Sequence, residues 1–181
     1  MRVISGTLRG LKLKSPEGLG TRPTLDRVKE ALFSMLFSRT ADACVLDLFA
    51  GSGALGIEAL SRGAAHCTFV DKNKDALDIV RQNVEKGRLS DRSSIILSDS
   101  IEYLNTAGSG FDIIFLDPPY EAGLYGELLC TIRRKNLLNG GGVAVLECGR
   151  DFVPDCTGFS VLKNKTYGKA QLFVLEADGT Q

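Results

Sequence analysis

Short apolar runs alternate with longer amphipathic stretches from residue 44 onward. The short runs are rich in Val, Ile, Leu and Phe, and the stretches between them have apolar residues at helical spacing. This alternation predicts an α/β fold with a mostly parallel sheet covered by helices on both faces, because parallel strands need crossover connections. The predicted strands are 44–49, 67–71, 93–99, 111–117 and 141–147, and the predicted helices are 54–63, 74–87, 100–108 and 122–137.

The two ends of the chain depart from this alternation. Residues 159–163 and 170–176 are β-like and are joined by a turn, which predicts an antiparallel addition at one edge of the sheet. Near the start, residues 2–5 and 11–14 predict a small hairpin. A helix is then predicted with Thr24 as its N-cap, because apolar residues recur at helical spacing after it.

Positive charge is concentrated before the alternation begins. Residues 1–40 carry eight Lys and Arg against three acids, although the whole chain of 181 residues is neutral. Such asymmetry predicts that this segment contacts a polyanion, with a solvated basic face as the alternative. We therefore divide the chain into an N-terminal basic hairpin and helix (1–42) and a core (43–181).

A glycine-rich segment joins the first predicted strand to the following helix. Within "DLFAGSGALGIEAL", Gly51, Gly53 and Gly56 fit G-x-G-x-x-G, and Asp71 ends the next strand 20 residues after Gly51. The glycines allow a tight turn and close approach of a ligand, and an acid at that spacing accepts hydrogen bonds from ribose. The pattern predicts a site for an adenine nucleoside or dinucleotide; a turn that only packs is the alternative.

Four predicted strands end in an acid, namely Asp47, Asp71, Asp99 and Asp117. Ligands of open α/β sheets bind along this edge. Four carboxylates there would repel the phosphates of a dinucleotide but suit the cationic S-adenosylmethionine. We therefore expect Asp47 to serve its amino-acid moiety and Asp99 to lie near its adenine.

The fourth strand runs into the segment "FLDPPYEAG". The Asp117 carboxylate and the Pro118 carbonyl can both accept hydrogen bonds from a planar amino group, and the two prolines offer no competing N–H. Tyr120 can stack on a base. Two acceptors gripping an exocyclic amine direct its lone pair at a methyl group, so positioning and electrostatics would do most of the catalysis. A tight turn after a strand is the alternative.

Cysteine and histidine usage argues against a metal site. The five cysteines have no C-x-x-C spacing, and His66 is the only histidine, so we expect no bound metal. An odd number of cysteines without a framework fits a reducing cytoplasm. The N-terminal sequence lacks the long apolar region of a signal peptide, and no apolar run has membrane-spanning length, so we expect no membrane association.

Four blocks of sequence resemble one known family in the order expected of it. "RVISGTLRGLKL", "TRPTLDRVKEALFSML", "VLDLFAGSGALGIEALSRGA" and "DIIFLDPPY" look like the bacterial ribosomal RNA small subunit methyltransferase D family, across nearly the whole chain. The resemblance implies a Rossmann-like class I methyltransferase fold, with a seven-stranded sheet and an N-terminal extension. It also implies transfer of a methyl group from S-adenosylmethionine to the exocyclic 2-amino group of a guanine in 16S rRNA.

The resemblance also implies roles for individual residues at matching motif positions. The cofactor-binding residues would be Asp47, Phe49, Gly51, Gly53, Asp71 and Asp99. The residues that hold the target base would be Asp117, Pro118 and Tyr120. The RNA-binding residues in the extension would be Arg9, Arg22 and Arg27. The surface is less basic than expected of an rRNA binder, so we expect the substrate to be an assembled or partly assembled small ribosomal subunit. We also expect the protein to be a monomer.

Three other functions share part of these motifs. A DNA adenine methyltransferase uses the same "DPPY" chemistry, but the extension leaves little room for a target-recognition region. An NAD-dependent oxidoreductase shares the glycine fingerprint, but His66 adjoins a strand away from its functional end. A non-catalytic RNA-binding factor is disfavoured by the intact "DPPY" motif.

Overall fold

Seven strands form one sheet in the part of the chain that the structure, a computed structural model, describes: residues 1–15, 23–108, 110–118 and 123–178. The strands are β1 (Cys44–Asp47), β2 (His66–Asp71), β3 (Ser93–Leu97), β4 (Phe111–Leu116), β5 (Leu138–Gly149), β6 (Phe159–Tyr167) and β7 (Ala170–Ala177). Their order is β3-β2-β1-β4-β5-β7-β6. Strands β1 to β5 pair in parallel, and β7 runs antiparallel to both of its neighbours.

Helices cover both faces of this sheet. The described helices are α1 (Pro23–Leu36), α2 (Ala54–Ser61), α3 (Lys74–Lys86), α4 (Ser100–Thr106) and α5 (Tyr125–Arg134). One buried apolar cluster contains residues of α1, α2 and α3, and the other contains residues of α4 and α5. The predicted fold is therefore confirmed. Among the described residues, no helix has both the length and the apolar character needed to cross a membrane.

Several predicted boundaries are wrong by a few residues. Helix α1 begins at Pro23, so Thr24 lies inside it and is not the N-cap; proline is favoured at a first helical position because its missing N–H is unpaired there anyway. Strand β1 ends at Asp47 rather than at residue 49. Helix α5 begins only at Tyr125, and β5 begins at Leu138, three residues earlier than predicted.

The predicted N-terminal hairpin is present in part: Arg2 and Lys12 form an antiparallel bridge, the Val3 N–H donates to the Leu11 carbonyl, and the Gly10 N–H donates to the Val3 carbonyl, both at 2.9 Å. The residues that follow Val3 are bound to the core. The Ser61 carbonyl accepts the Thr7 N–H at 2.8 Å, and the Ser61 hydroxyl donates to the Ser5 carbonyl at 2.6 Å. Gly6 has φ +84°, and a Cβ there would lie 1.8 Å from the Ser61 carbonyl oxygen, so this close approach requires glycine.

A buried carboxylate, Glu58 of α2, holds this segment in place. It accepts hydrogen bonds from the backbone N–H groups of Ile4 at 2.8 Å and Ser5 at 3.0 Å. It also pairs with Lys29 of α1 at 3.1 Å and with Arg62 at 2.8 Å. Glu58 is completely buried, so these partners replace the water that its charge would otherwise need. One side chain thus joins the N-terminal segment, α1 and α2.

Substituting Glu58 with alanine should destabilise the protein by about 3–5 kcal/mol, because Lys29 would remain buried without its carboxylate partner. Urea unfolding followed by circular dichroism measures this change. The matched control is Asp78→Ala, which removes an exposed ion pair with Arg81 and should cost at most about 1 kcal/mol. Equal costs for the two variants would contradict the role given to Glu58.

Candidate active site

A pocket opens at the carboxyl ends of β1, β4 and β5, where open α/β sheets bind ligands. The carboxylates of Asp47, Asp117 and Glu147 line it together with the glycine-rich segment after β1. Lys29 and Leu32 of α1 form another wall. The remaining lining residues are Met1, Val28, Phe49, Ala50, Gly51, Ser52, Ala54 and Leu55. Three of the six predicted cofactor-binding residues, Asp47, Phe49 and Gly51, therefore lie together in this lining.

The glycine-rich segment has the backbone conformation that its sequence predicts. Gly51 has φ +52° and Gly53 has φ +77°, a region that other residues rarely adopt. The N–H of Gly51 donates to Oδ2 of Asp71 at 2.9 Å, and Oδ1 of Asp71 accepts from the N–H of Asn73 at 2.9 Å. The carboxylate of Asp71 is therefore fixed beside the turn, as the 20-residue spacing predicted.

The third glycine of the motif, Gly56, serves packing. A Cβ at this position would lie 2.5 Å from the sulfur of Cys67 and 2.3 Å from the ring of Phe69, both on β2. Only glycine lets α2 approach the sheet this closely. Cys67 is a fully buried core residue here.

Asp47 is a buried carboxyl group at the floor of the pocket. Its Oδ2 accepts the backbone N–H of Gly56 at 3.0 Å. The pKa of Asp47 is raised to about 7: burial is the largest cause, the hydrogen bond from the Gly56 N–H lowers the pKa, and the charge of Asp71 raises it. A cation placed beside Asp47 would favour its ionised form, so this group is suited to a positively charged ligand.

Asp117 and Glu147 form a second acidic group in the same pocket. Desolvation raises the pKa of Asp117 well above its usual value, and the charges of Glu147 and Asp47 add to this effect. Asp117 lines the pocket beside Asp47 and Glu147, so a ligand bound there would lie next to its carboxyl group. Burial also raises the pKa of Glu147. Carboxyl groups with raised pKa values can take up a proton near neutral pH.

Asp99 has a local structural role. It is the N-cap of α4, and its Oδ1 accepts the N–H groups of Ile101 at 2.9 Å and Glu102 at 3.3 Å. It lies beyond the lining of the pocket, at the end of the outer strand β3. Its contact with an adenine ring stays a prediction.

Arg9 and Arg27, two of the predicted RNA-binding residues, are not part of the pocket lining. Arg9 and Arg27 are both exposed, and Arg9 lines a separate groove together with Glu30 and Ser34 of α1. Arg22 and Tyr120 fall outside the described residues, as does the second proline of "DPPY". The RNA contacts of the extension and the stacking role of Tyr120 stay predictions.

Two lining residues, Glu147 and Lys29, were missed by the sequence analysis. Glu147 had a recognisable signal, because "GGVAVLE" is a fifth predicted strand that ends in an acid like the other four. Lys29 had none. Its partner Glu58 lies 29 residues away on another helix, and only the packed fold brings them together.

The pKa of Asp47 predicts how the stability of the ligand-free protein depends on pH. Because the folded pKa of about 7 exceeds the ordinary 3.8, the folded state binds more protons between these values. The free energy of unfolding should therefore fall as pH rises from about 4 to about 7, by at most about 1.4 kcal/mol per pH unit from this group.

Asp117 and Glu147 contribute with the same sign. Asp47→Asn, which keeps an acceptor for Gly56 but cannot ionise, should flatten the dependence without abolishing it. Urea midpoints measured from pH 4 to 8 test this, and an unchanged slope in the variant would contradict the assignment.

Comparison with known proteins agrees with this geometry. The family model described as conserved hypothetical protein 95 matches residues 1–176. Ribosomal RNA small subunit methyltransferase D of Escherichia coli (strain K12) is 39% identical, with 99% of this chain and 92% of that protein covered. The enzyme of the same name from Haemophilus influenzae is 34% identical, with 93% and 89% covered.

Among solved structures, a hypothetical protein of Thermus thermophilus superposes with a TM-score of 0.83 at 28% identity, covering 98% of this chain and 99% of that one. The described fold and the shared sequence thus extend over essentially the whole length of both chains. The protein belongs to the conserved hypothetical protein 95 family, which includes ribosomal RNA small subunit methyltransferase D.

Proposed function

We propose that this protein methylates the exocyclic 2-amino group of a guanine in 16S rRNA. As a member of its family it is an S-adenosylmethionine-dependent rRNA methyltransferase; the base and the atom are the proposal. One observation carries it: Asp117 of the "DPPY" motif shares a pocket with the glycine-rich segment that follows β1. A group held by Asp117 would lie beside a cofactor held by that segment.

The residues of the pocket fit a cationic nucleoside. A Cβ on Gly51 would meet only the Phe49 carbonyl oxygen, at 3.9 Å, so the backbone there is open to a ligand, and Asp71 is beside it to accept hydrogen bonds from ribose. Asp47, Asp117 and Glu147 add negative charge, which favours a sulfonium and disfavours the pyrophosphate of NAD. When bound, S-adenosylmethionine supplies a methyl group activated by its positively charged sulfur.

The chain's own groups would orient and deprotonate the target amine. The Asp117 carboxylate and the Pro118 carbonyl can accept hydrogen bonds from the two N–H groups of the target amine. This arrangement directs the nitrogen lone pair toward the cofactor. The raised pKa of Asp117 suits it to receive the proton that the amine loses. Glu147 lines the same pocket and can share that proton, because its pKa is raised as well.

The basic extension would bring the RNA to this pocket. Exposed Arg9 and Arg27 support a role for residues 1–42 in binding RNA phosphates, together with Arg22. We infer that the substrate is an assembled or partly assembled small ribosomal subunit and that the protein acts as a monomer in the cytoplasm. Its five cysteines are all free, which fits a reducing compartment.

Asp117→Asn should lower kcat at least 100-fold, because the asparagine amide cannot take up the proton. Its NH2 group would also place a donor where the target amine needs an acceptor. Affinity for S-adenosylhomocysteine should change less than twofold. The assay is methylation of undermethylated small ribosomal subunits, read as 2-methylguanosine by mass spectrometry of nucleosides.

Asp91→Asn, an exposed residue in a turn before β3, is the matched control and should keep the wild-type rate. Genomic DNA offered as a second substrate tests the DNA methyltransferase alternative. Wild-type activity on subunits without 2-methylguanosine, or activity on DNA alone, would refute the proposed function.

Asp71→Ala should weaken S-adenosylhomocysteine binding about 10-fold or more, because a charge-assisted acceptor beside Gly51 is lost. Asp75→Ala, an exposed acid in the first turn of α3, is the control and should leave the affinity unchanged. Calorimetry measures both variants. Titration with NAD in the same buffers should give no binding, and tight NAD binding would favour the oxidoreductase alternative.

A further inference from the structure

Two turns meet beside the active-site pocket, and neither belongs to the N-terminal extension. In the sheet register, Ala170 at the start of β7 pairs with Gly149 at the end of β5 and with Tyr167 at the end of β6. The Arg150 N–H donates to the Lys169 carbonyl at 2.9 Å, which joins the two turns. We call the surface formed by Arg150, Phe152 and Lys169 the ledge. It lies at the carboxyl edge of the sheet, the edge that holds the active site.

A direct contact connects the ledge to the catalytic pocket. The Tyr125 hydroxyl donates to the backbone carbonyl of Glu147 at 2.7 Å. The ring of Tyr125 packs against that of Phe152, with 5.0 Å between centroids and 39° between planes. Glu147 therefore lines the pocket, and the ledge begins three residues further along the chain, at Arg150.

The ledge combines positive charge with an open aromatic ring. Arg150 and Lys169 are exposed, and 39% of Phe152 remains accessible even though it packs on Tyr125. These residues line one concave surface. Of the described residues that line it, Asp151 is the single acid. Two cations around an accessible ring fit phosphates and a base better than they fit an apolar protein surface.

We propose that the ledge binds single-stranded RNA next to the target guanine, with Arg150 and Lys169 contacting phosphates and Phe152 stacking on a neighbouring unpaired base. This inference rests on the proposed function. The base must be unpaired, because a ring that stacks from the side cannot reach a base inside a duplex. The ledge would hold the strand on the side of the pocket formed by β5, opposite the glycine-rich segment after β1.

The charge contribution is tested with Arg150→Ala/Lys169→Ala. Its matched control is Arg134→Ala/Lys135→Ala, which removes the same charge from exposed residues at the end of α5, the opposite edge of the sheet. The probes are a fluorescein-labelled 12-nucleotide oligouridine and undermethylated small subunits. The ledge variant should bind oligouridine about 10-fold more weakly. The slope of log affinity against log salt should fall by ~1.4, for two single-strand phosphates at ~0.7 each.

On subunits, the ledge variant should show a raised KM with kcat and S-adenosylhomocysteine affinity unchanged, and the control should match wild type. Phe152→Leu, which keeps apolar volume against Tyr125, should weaken oligouridine binding about 5- to 10-fold, and Phe152→Tyr should restore it. Neither variant should change binding to a 12-base-pair RNA duplex.

Unchanged oligouridine affinity and salt slope in the ledge variant would overturn the inference. A KM raised only for protein-containing subunits, with unchanged oligouridine binding, would do the same by assigning the ledge to a protein partner. These results leave the proposed function intact whenever wild type methylates subunits. Failure of wild type to form 2-methylguanosine refutes the proposed function itself, and the oligouridine measurements then decide the ledge alone.

Discussion

The parallel pairing of β1 with both β2 and β4 determines where the chemistry of this protein can occur. Asp47 is opposite Phe69 on one side and Phe115 on the other, so the ends of the three strands coincide. The carboxylates that follow them must then stand at one edge of the sheet. Burial raises the pKa values of the three carboxyl groups in the pocket, Asp47, Asp117 and Glu147, and the charges of neighbouring carboxylates add to the rise for Asp47 and Asp117.

The buried network around Glu58 attaches the N-terminal segment to the core. The basic N-terminal segment, for which we propose RNA contacts, has to be held near the pocket without a large apolar core of its own. Glu58 satisfies the backbone of that segment and the charge of Lys29 together, and Asn83 of α3 adds further hydrogen bonds to Lys14. The extension and the core are thus joined by polar contacts inside the protein, where such contacts are costly to break.

Local chemistry explains what the sequence could predict. Gly51, Gly53 and Asp71 were found because the turn and the acid obey a fixed spacing within one strand–helix–strand unit. The predicted hairpin is shorter than expected because the backbone donors of Ile4, Ser5 and Thr7 are satisfied by Glu58 and Ser61, more than 50 residues away. Propensity describes a segment's own preferences, and it contains no information about partners so distant in the chain.

Other roles are added by the folded structure. Asp99 caps the next helix, and its predicted contact with adenine stays a prediction. Lys29 is buried against Glu58, a partner on another helix that the periodicity of its own helix cannot reveal.

The attachment of the N-terminal segment also sets an order for folding during synthesis. Ile4 and Ser5 bind Glu58, and Lys14 binds Asn83. These N-terminal residues emerge from the ribosome well before their partners do. Chains are made from the N-terminus at roughly 5–20 residues per second, which leaves this segment unpaired for several seconds. The contacts of the N-terminal segment therefore cannot form before α2 and α3 have been synthesised, and a nascent chain truncated before α3 would lack the hydrogen bonds of Asn83.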